Sequence, residues 1–123
     1  MKSKPLSEMS ESDLVNEFVS SAIIQKEASE KNKFSVYNKL IKRIVELTQE
    51  LKSRPGDRRR DLLPLLEHEN IQVRLMAANE TLAVAPEAAR RTLQAIKDSN
   101  WFPFAADAST TLRGFDSGRL RPE

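Results

Sequence analysis

The sequence predicts an all-α protein built from stacked helical repeats. Apolar residues recur at helical spacing along most of the chain, and the stretch from Asp57 to Leu112 contains the same helical pattern twice, thirty positions apart. A fixed period of this size indicates units that bury their apolar faces by stacking on neighbours. The matched positions are Arg60 with Arg90, Leu63 with Leu93, Leu66 with Ile96, Asn70 with Asn100, Ile71 with Trp101, Ala78 with Ala108, Thr81 with Thr111 and Leu82 with Leu112.

The length favours one domain, because 123 residues are enough for a single hydrophobic core. We expect a flexible N-terminal lead over residues 1–9, a helical domain over residues 10–114 and a flexible tail over residues 115–123. The first helix should begin after Ser10, whose hydroxyl can accept from the amide of Asp13, and should run to about Ser29. A second helix is expected from about Ser35 to Arg54. Its apolar half comprises Tyr37, Leu40, Ile41, Ile44, Val45, Leu47, Thr48 and Leu51.

Four shorter helices are expected in the rest of the chain. The third, from about Arg58 to Glu67, contains Pro64 and should bend. The fourth runs from about Ile71 to Ala83 and is apolar nearly all round. The fifth begins at Pro86 and runs to about Lys97, and the sixth is capped by Ser99 or Asn100 and ends at Gly114.

One family resemblance is carried by the run Leu62-Leu63-Pro64-Leu65-Leu66, a polar turn over residues 67–70, and Val73-Arg74 followed by Ala77-Ala78 and Leu82. This pattern resembles a HEAT repeat. The resemblance implies a short right-handed α-solenoid of about six helices, a HEAT-like or armadillo-type superhelix. The second copy departs from the pattern, because Pro103 and Phe104 stand where Val73 and Arg74 do. The short period and chain resemble small bacterial HEAT-like domains of unknown function, so the resemblance implies a fold and no activity.

The sequence offers little for catalysis. It contains no cysteine and one histidine, His68, which we expect to be solvated in a polar turn. The three glycines form no phosphate-binding motif. We therefore expect a protein that is not an enzyme and binds neither a cofactor nor a metal. No apolar run approaches the ~20 residues of a membrane span, so we expect a cytoplasmic protein without a membrane partner.

Arginine is concentrated in the C-terminal half of the chain. Residues 1–56 contain eight lysines and two arginines, whereas residues 57–123 contain one lysine and nine arginines. The candidate partner-binding residues in this half are Arg58, Arg59, Arg90 and Arg91. They are candidates because Arg60 and Arg90 occupy matched positions in the two copies of the repeat. Interleaved carboxylates weaken the summed field, and the net charge is only +2, so nucleic-acid binding ranks below protein binding.

Arg74 lies between the two apolar flanks of the fourth helix. We expect it to have a structural role, bonded either to a carboxylate or to helix-end carbonyls. Asp61 and Asp107 are the candidate carboxylates.

Three aromatic residues occur within four positions at Trp101, Phe102 and Phe104. We expect Trp101 to be the core residue of the last helix, because it matches Ile71. Helical geometry turns Phe102 toward the surface, where it either contacts a partner or is covered by the tail through Phe115. Trp101 and Phe102 are therefore candidate partner-binding residues.

Three function classes follow. The first is a protein-interaction module whose partner is another protein, existing as a monomer or weak homodimer. The second is a nucleic-acid-binding domain that uses arginine-rich helix faces. The third is an accessory domain, because similarly short repeats resemble those of bilin lyases.

Overall fold

The computed structural model describes residues 4–123, all of whose regular secondary structure is helical. The chain divides into two compact units, Met1–Asp61 and Leu62–Glu123. The fold class predicted from the sequence is therefore confirmed at the level of an all-α protein. No helix in the described part of the chain is long and apolar enough to cross a membrane.

The first unit is built on two long helices, α1 (Glu11–Glu30) and α2 (Phe34–Ser53). The side chain of Ser10 accepts from the Asp13 amide at 3.0 Å, as expected, and α1 and α2 pack against each other. An ion pair between Arg43 and Glu17 joins the two helices and raises the pKa of the arginine. The buried apolar residues of this unit are Leu14, Phe18, Ala22, Ala28, Ile44, Leu47 and Leu51.

The predicted N-terminal lead is partly structured. Leu6–Glu8 form a short 3-10 helix, and the Leu6 carbonyl accepts from Nη2 of Arg54 at 2.9 Å. The same guanidinium bonds Glu11 and Glu50, each at 3.0 Å. Residues 1–3 of the predicted lead lie outside the described residues.

The segment Arg58–Glu67 has the predicted limits but is a 3-10 helix. Pro64 has no N–H to complete an α-helical bond, and the bond from His68 N to Leu65 O spans three residues. The buried positions Arg59, Leu62 and Leu65 recur every three residues. A 3-10 helix has three residues per turn and therefore places all three side chains on one side. An α-helix, with about 3.6 residues per turn, would spread them around its axis.

The second unit contains α3 (Ile71–Thr81), α4 (Pro86–Asp98) and α5 (Phe104–Asp116). The Asn70 side chain caps α3 by accepting from the amides of Gln72 and Val73. Pro86 opens α4, as expected, because the first helical position needs no N–H donor. One core cluster joins the three helices, formed by Ile71, Leu75, Ala78, Leu82, Ala89, Leu93, Ile96, Phe104, Ala108 and Leu112.

The end of the chain departs from the prediction, because α5 continues beyond Gly114 to Asp116. The Gly114 carbonyl accepts from the Leu120 amide at 2.9 Å. A Cβ atom at position 114 would lie 3.3 Å from Cβ of Leu120. The glycine thus permits close approach of the tail to α5, and Phe115 packs against the core cluster.

Candidate functional site

A groove of about 480 Å³ lies along α5 beside the C-terminal end of α4. We call it the α4–α5 groove. Its α5 positions recur every three or four residues and form one face of that helix, whereas Ala108 and Leu112 belong to the core cluster. The lining residues are Lys97, Asp98, Asn100, Phe102, Ala105, Ala106, Ser109, Thr110 and Arg113.

One end of the groove is aromatic. Phe102 is 64% exposed and lines the groove, and the neighbouring Trp101 is 51% exposed. The connecting loop is held by backbone bonds: Ala105 N donates to Trp101 O at 2.8 Å, and Trp101 N donates to the Ser99 hydroxyl at 3.2 Å. The exposure of these rings is therefore a property of an ordered loop.

Phe104, and not Trp101, supplies the core side chain at this end of α5. Phe104 is only 2% exposed, and Trp101 lies on it in an edge-to-face contact with ring centroids 5.5 Å apart. The expectation that Trp101 replaces Ile71 in the core is wrong. Phe102 is not covered by Phe115, which packs against the core cluster.

Toward the C-terminal end of α5 the groove is cationic, because Arg113 lies there. Lys97 and Arg113 both line it, and within the described residues neither side chain forms a hydrogen bond or ion pair. The one carboxylate of the lining, Asp98, accepts from Nε2 of Gln94 at 3.0 Å. Two cations without acceptors and an exposed aromatic ring along one groove form a surface suited to an anionic, partly apolar ligand.

Three of the four candidate arginines are paired with carboxylates. Arg58 bonds Asp61, Arg59 bonds Asp57, and Arg90 bonds Asp116, each through an Nη2 contact of 2.6 Å. Hydrogen bonds from Arg90 lower the pKa of the Asp116 carboxyl, and the same pair raises the pKa of Arg90. Arg91 is exposed on α4. None of these four arginines lines the α4–α5 groove.

Arg74 is bonded to backbone carbonyls. Its Nη1 donates to His68 O at 2.7 Å and to Glu69 O at 3.1 Å, so the side chain fastens the turn that precedes α3. Asp61 and Asp107, the two carboxylates that we expected to bond Arg74, lie in other surroundings. Asp61 accepts from Arg58, and partial loss of hydration raises the pKa of the Asp107 carboxyl although the side chain keeps solvent contact.

We expect Arg74→Ala to lower the free energy of unfolding by about 1.5 to 3 kcal/mol, because two charge-assisted hydrogen bonds to the turn are lost. Arg91→Ala is the matched control. It removes an exposed guanidinium and should change stability by no more than about 0.5 kcal/mol. Urea unfolding of the two variants measures the difference, and equal stabilities would show that the Arg74 bonds are not stabilising.

An exposed apolar stripe on α2 was not expected. Phe34, Ile41 and Val45 are each at least 40% exposed, and their spacing places them on one side of the helix. Ile41 and Val45 belong to the apolar half predicted for this helix but are exposed, because the burial of α2 is centred on Ile44, Leu47 and Leu51. Helical periodicity identifies an apolar half of a helix, but not how much of it a neighbour covers.

His68 takes part in the turn before α3. Its Nδ1 accepts from the Asn70 amide at 3.0 Å, which is a structural contact. Among residues 4–123, no three His, Cys, Asp or Glu side chains are grouped as a metal site would require. The α4–α5 groove is therefore the arrangement with the clearest binding chemistry: cationic at one end and aromatic at the other.

Two comparisons with known proteins each cover most of the chain. A family model described as a domain of unknown function, DUF2019, matches residues 12–116. The crystal structure of the protein RPA1889 from Rhodopseudomonas palustris CGA009 is similar to this chain, with a TM-score of 0.94 and 44% sequence identity. The similarity covers 98% of this chain and 100% of that one. No curated protein matches the chain.

Proposed function

Because the chain belongs to the DUF2019 family of domains of unknown function, we propose a role for it from its own surface. It is a non-catalytic protein-interaction module that holds a segment of another protein in the α4–α5 groove. The observation that supports this role most strongly is the exposure of Phe102 in the groove, beside exposed Trp101. Aromatic side chains next to cations are the composition of interface hot spots.

We also propose that the helices are arranged as in a HEAT-like repeat. Arg74 turns back onto the carbonyls of His68 and Glu69, which gives the Val-Arg pair of the repeat pattern a local structural purpose. In a HEAT-like α-solenoid, exposed helix faces serve as binding surfaces for other proteins. We place such a module in the bacterial cytoplasm as a monomer or weak homodimer.

Nucleic-acid binding is the weaker alternative. Arg58, Arg59 and Arg90 each have a carboxylate partner, and those carboxylates cancel much of the positive field that would attract phosphates. An accessory role like that suggested by the bilin-lyase resemblance would also operate through protein contacts. The groove supports it no more specifically than any other interaction role.

Phe102→Asp should abolish capture of the partner, because a carboxylate replaces the aromatic anchor of the groove. Stability should be almost unchanged, since the side chain is exposed. The measurement is affinity capture from the native cytosol by the full-length chain, with nuclease treatment in parallel and circular dichroism to verify folding.

Phe34→Asp is the matched control for this experiment. Phe34 is 65% exposed but belongs to α2 and does not line the groove. The control variant should retain the captured protein. Retention by Phe102→Asp, or equal loss in both variants, would contradict the assignment of the groove, and capture that nuclease removes would favour a nucleic-acid role.

A further inference from the structure

We infer that the segment held in the α4–α5 groove is an extended peptide with a large apolar side chain and, about three residues away, a carboxylate. This inference rests on the proposed function. It specifies the chemistry of the partner and the distance between its two recognised groups.

The carboxylate follows from the charge of the groove. Within residues 4–123, Arg113 and Lys97 form no ion pair, and the one carboxylate that lines the groove, Asp98, accepts from Nε2 of Gln94. Lys97 is close enough to Asp116 to help lower the pKa of that carboxyl, but both Asp116 oxygens accept from Arg90. The cationic end of the groove therefore retains an uncompensated positive charge that an acidic side chain would neutralise.

The spacing follows from the register of α5. Ala106 lies beside the aromatic end, and Arg113 is seven residues farther along the helix. A helix rises 1.5 Å per residue, so these positions are about 10 Å apart along the axis. An extended peptide in the polyproline II conformation advances about 3.1 Å per residue with three residues per turn, so side chains three positions apart lie on the same side and about 9 Å apart.

The groove between its two ends suits a peptide main chain. Ala105 and Ala106 are small, so a backbone can approach α5 closely there. The Asn100 amide and the Ser109 hydroxyl line the same groove and provide donors and acceptors for peptide groups. Small residues on the floor and polar groups at the sides thus match an extended backbone.

A carboxylate fits the groove better than a phosphate group does. Phosphate sites commonly use the free amides of a helix N-terminus. At the start of α5, Pro103 has no N–H, Ala105 N donates to Trp101 O, and the amides of Ala106 and Asp107 donate to Pro103 O. The planar guanidinium of Arg113 can bind two oxygens of either group, so the preference for a carboxylate rests on these occupied amides.

The inference is tested with four probes and the full-length chain, by following its backbone amide resonances in NMR titrations. The first peptide is acetyl-Trp-Ser-Ser-Glu-amide. The second replaces Glu by Gln, and the third, acetyl-Trp-Glu-Ser-Ser-amide, brings the carboxylate next to the apolar residue. Inorganic phosphate is the fourth probe.

The first peptide should shift the amides of Ala106, Ser109 and Arg113 and bind with a Kd of about 1 mM, as expected for a short flexible ligand. Its Gln and respaced counterparts should bind about two- to fivefold more weakly, as expected for loss of one solvent-accessible ion pair. Arg113→Ala should reduce the affinity for the first peptide to that of the Gln peptide and leave the Gln peptide unaffected.

Equal affinity for the Glu and Gln peptides, stronger shifts with phosphate, or no shifts with any probe at about 10 mM would overturn the inference. The proposed function is tested separately by the capture experiment. If Phe102→Asp abolishes capture while the peptides fail, the groove is a binding site for a partner of different chemistry. If capture is also unaffected, the proposed function fails as well.

Discussion

Replacing Phe104 by alanine should lower the free energy of unfolding by about 3 to 5 kcal/mol, because the side chain is buried in the core cluster that joins α3, α4 and α5. The loss combines the transfer free energy of the ring with the cavity left behind. Urea unfolding monitored by circular dichroism measures it. The transition should move to lower urea concentration.

Trp101→Ala is the matched control for this prediction. Half of the Trp101 surface is solvated, and its ring packs edge-to-face on Phe104, so we expect a loss of about 1 kcal/mol or less. If Trp101→Ala proves as destabilising as Phe104→Ala, the assignment of Phe104 as the core residue at this end of α5 is incorrect.

Asp57→Asn should cost about 2 to 3 kcal/mol, the second largest effect. The Arg59 side chain is only 9% exposed, and Asp57 accepts from its Nε at 2.9 Å and its Nη2 at 2.6 Å. Loss of the carboxylate leaves a largely buried guanidinium with less compensating charge, and solvent at Asp57 reduces the cost below that of a fully buried pair. Asparagine tolerates the positive φ of 53° at this position, so the change tests the charge.

Asp61→Asn is the control, because its partner Arg58 is more exposed and the pair is a surface ion pair worth no more than about 1 kcal/mol.

The pH dependence of stability provides a second check. Hydrogen bonds from Arg59 lower the pKa of Asp57 below its ordinary value of 3.8, so folding stabilises the ionised form. This stabilisation is present above the unfolded-state pKa and is lost as the pH falls through the folded-state pKa.

The wild type and Asp57→Asn should therefore differ fully at neutral pH and converge in acid below about pH 4. A difference in stability that persists unchanged at low pH would show that the carboxylate charge is not its cause. Thermal unfolding across this pH range, with Asp61→Asn measured alongside, distinguishes the two results.

Local signals predicted most helix limits. Ser10 caps α1 and Pro86 opens α4, and each acts through a backbone requirement that a few neighbouring residues determine. The polar turn before α3 belongs to the same class, because the Asn70 side chain caps the helix. Such signals need no knowledge of tertiary packing.

The match between the two repeat copies failed to identify the core residue at the start of the last helix, because the second helices of the two copies begin at different positions of the repeat. In the first copy, α3 begins at Ile71, directly after its Asn70 cap. In the second copy, Asn100 has a φ of 55° and α5 begins only at Phe104, after a proline that cannot donate. The inward position is therefore displaced by three residues, from Trp101 to Phe104.

The groove could be predicted only in part. Helical geometry predicted that Phe102 would be near the surface, and its exposure confirms this. The sequence did not indicate Lys97 and Arg113, because their place in the groove depends on how α4 and α5 pack together. Arg90 and Asp116, which pair across twenty-six positions, illustrate a contact that spacing along one helix cannot predict.

The central claim is that the α4–α5 groove holds a segment of another protein. Site-specific photo-crosslinking in living cells tests it most directly, with a photoreactive phenylalanine analogue at Ala106 in the groove and, as a control, at Lys39 on the surface of α2. We predict a crosslink to another protein from position 106 that disappears when Phe102→Asp is added, and none from position 39. No crosslink from position 106, or one that persists with Phe102→Asp, would contradict the claim.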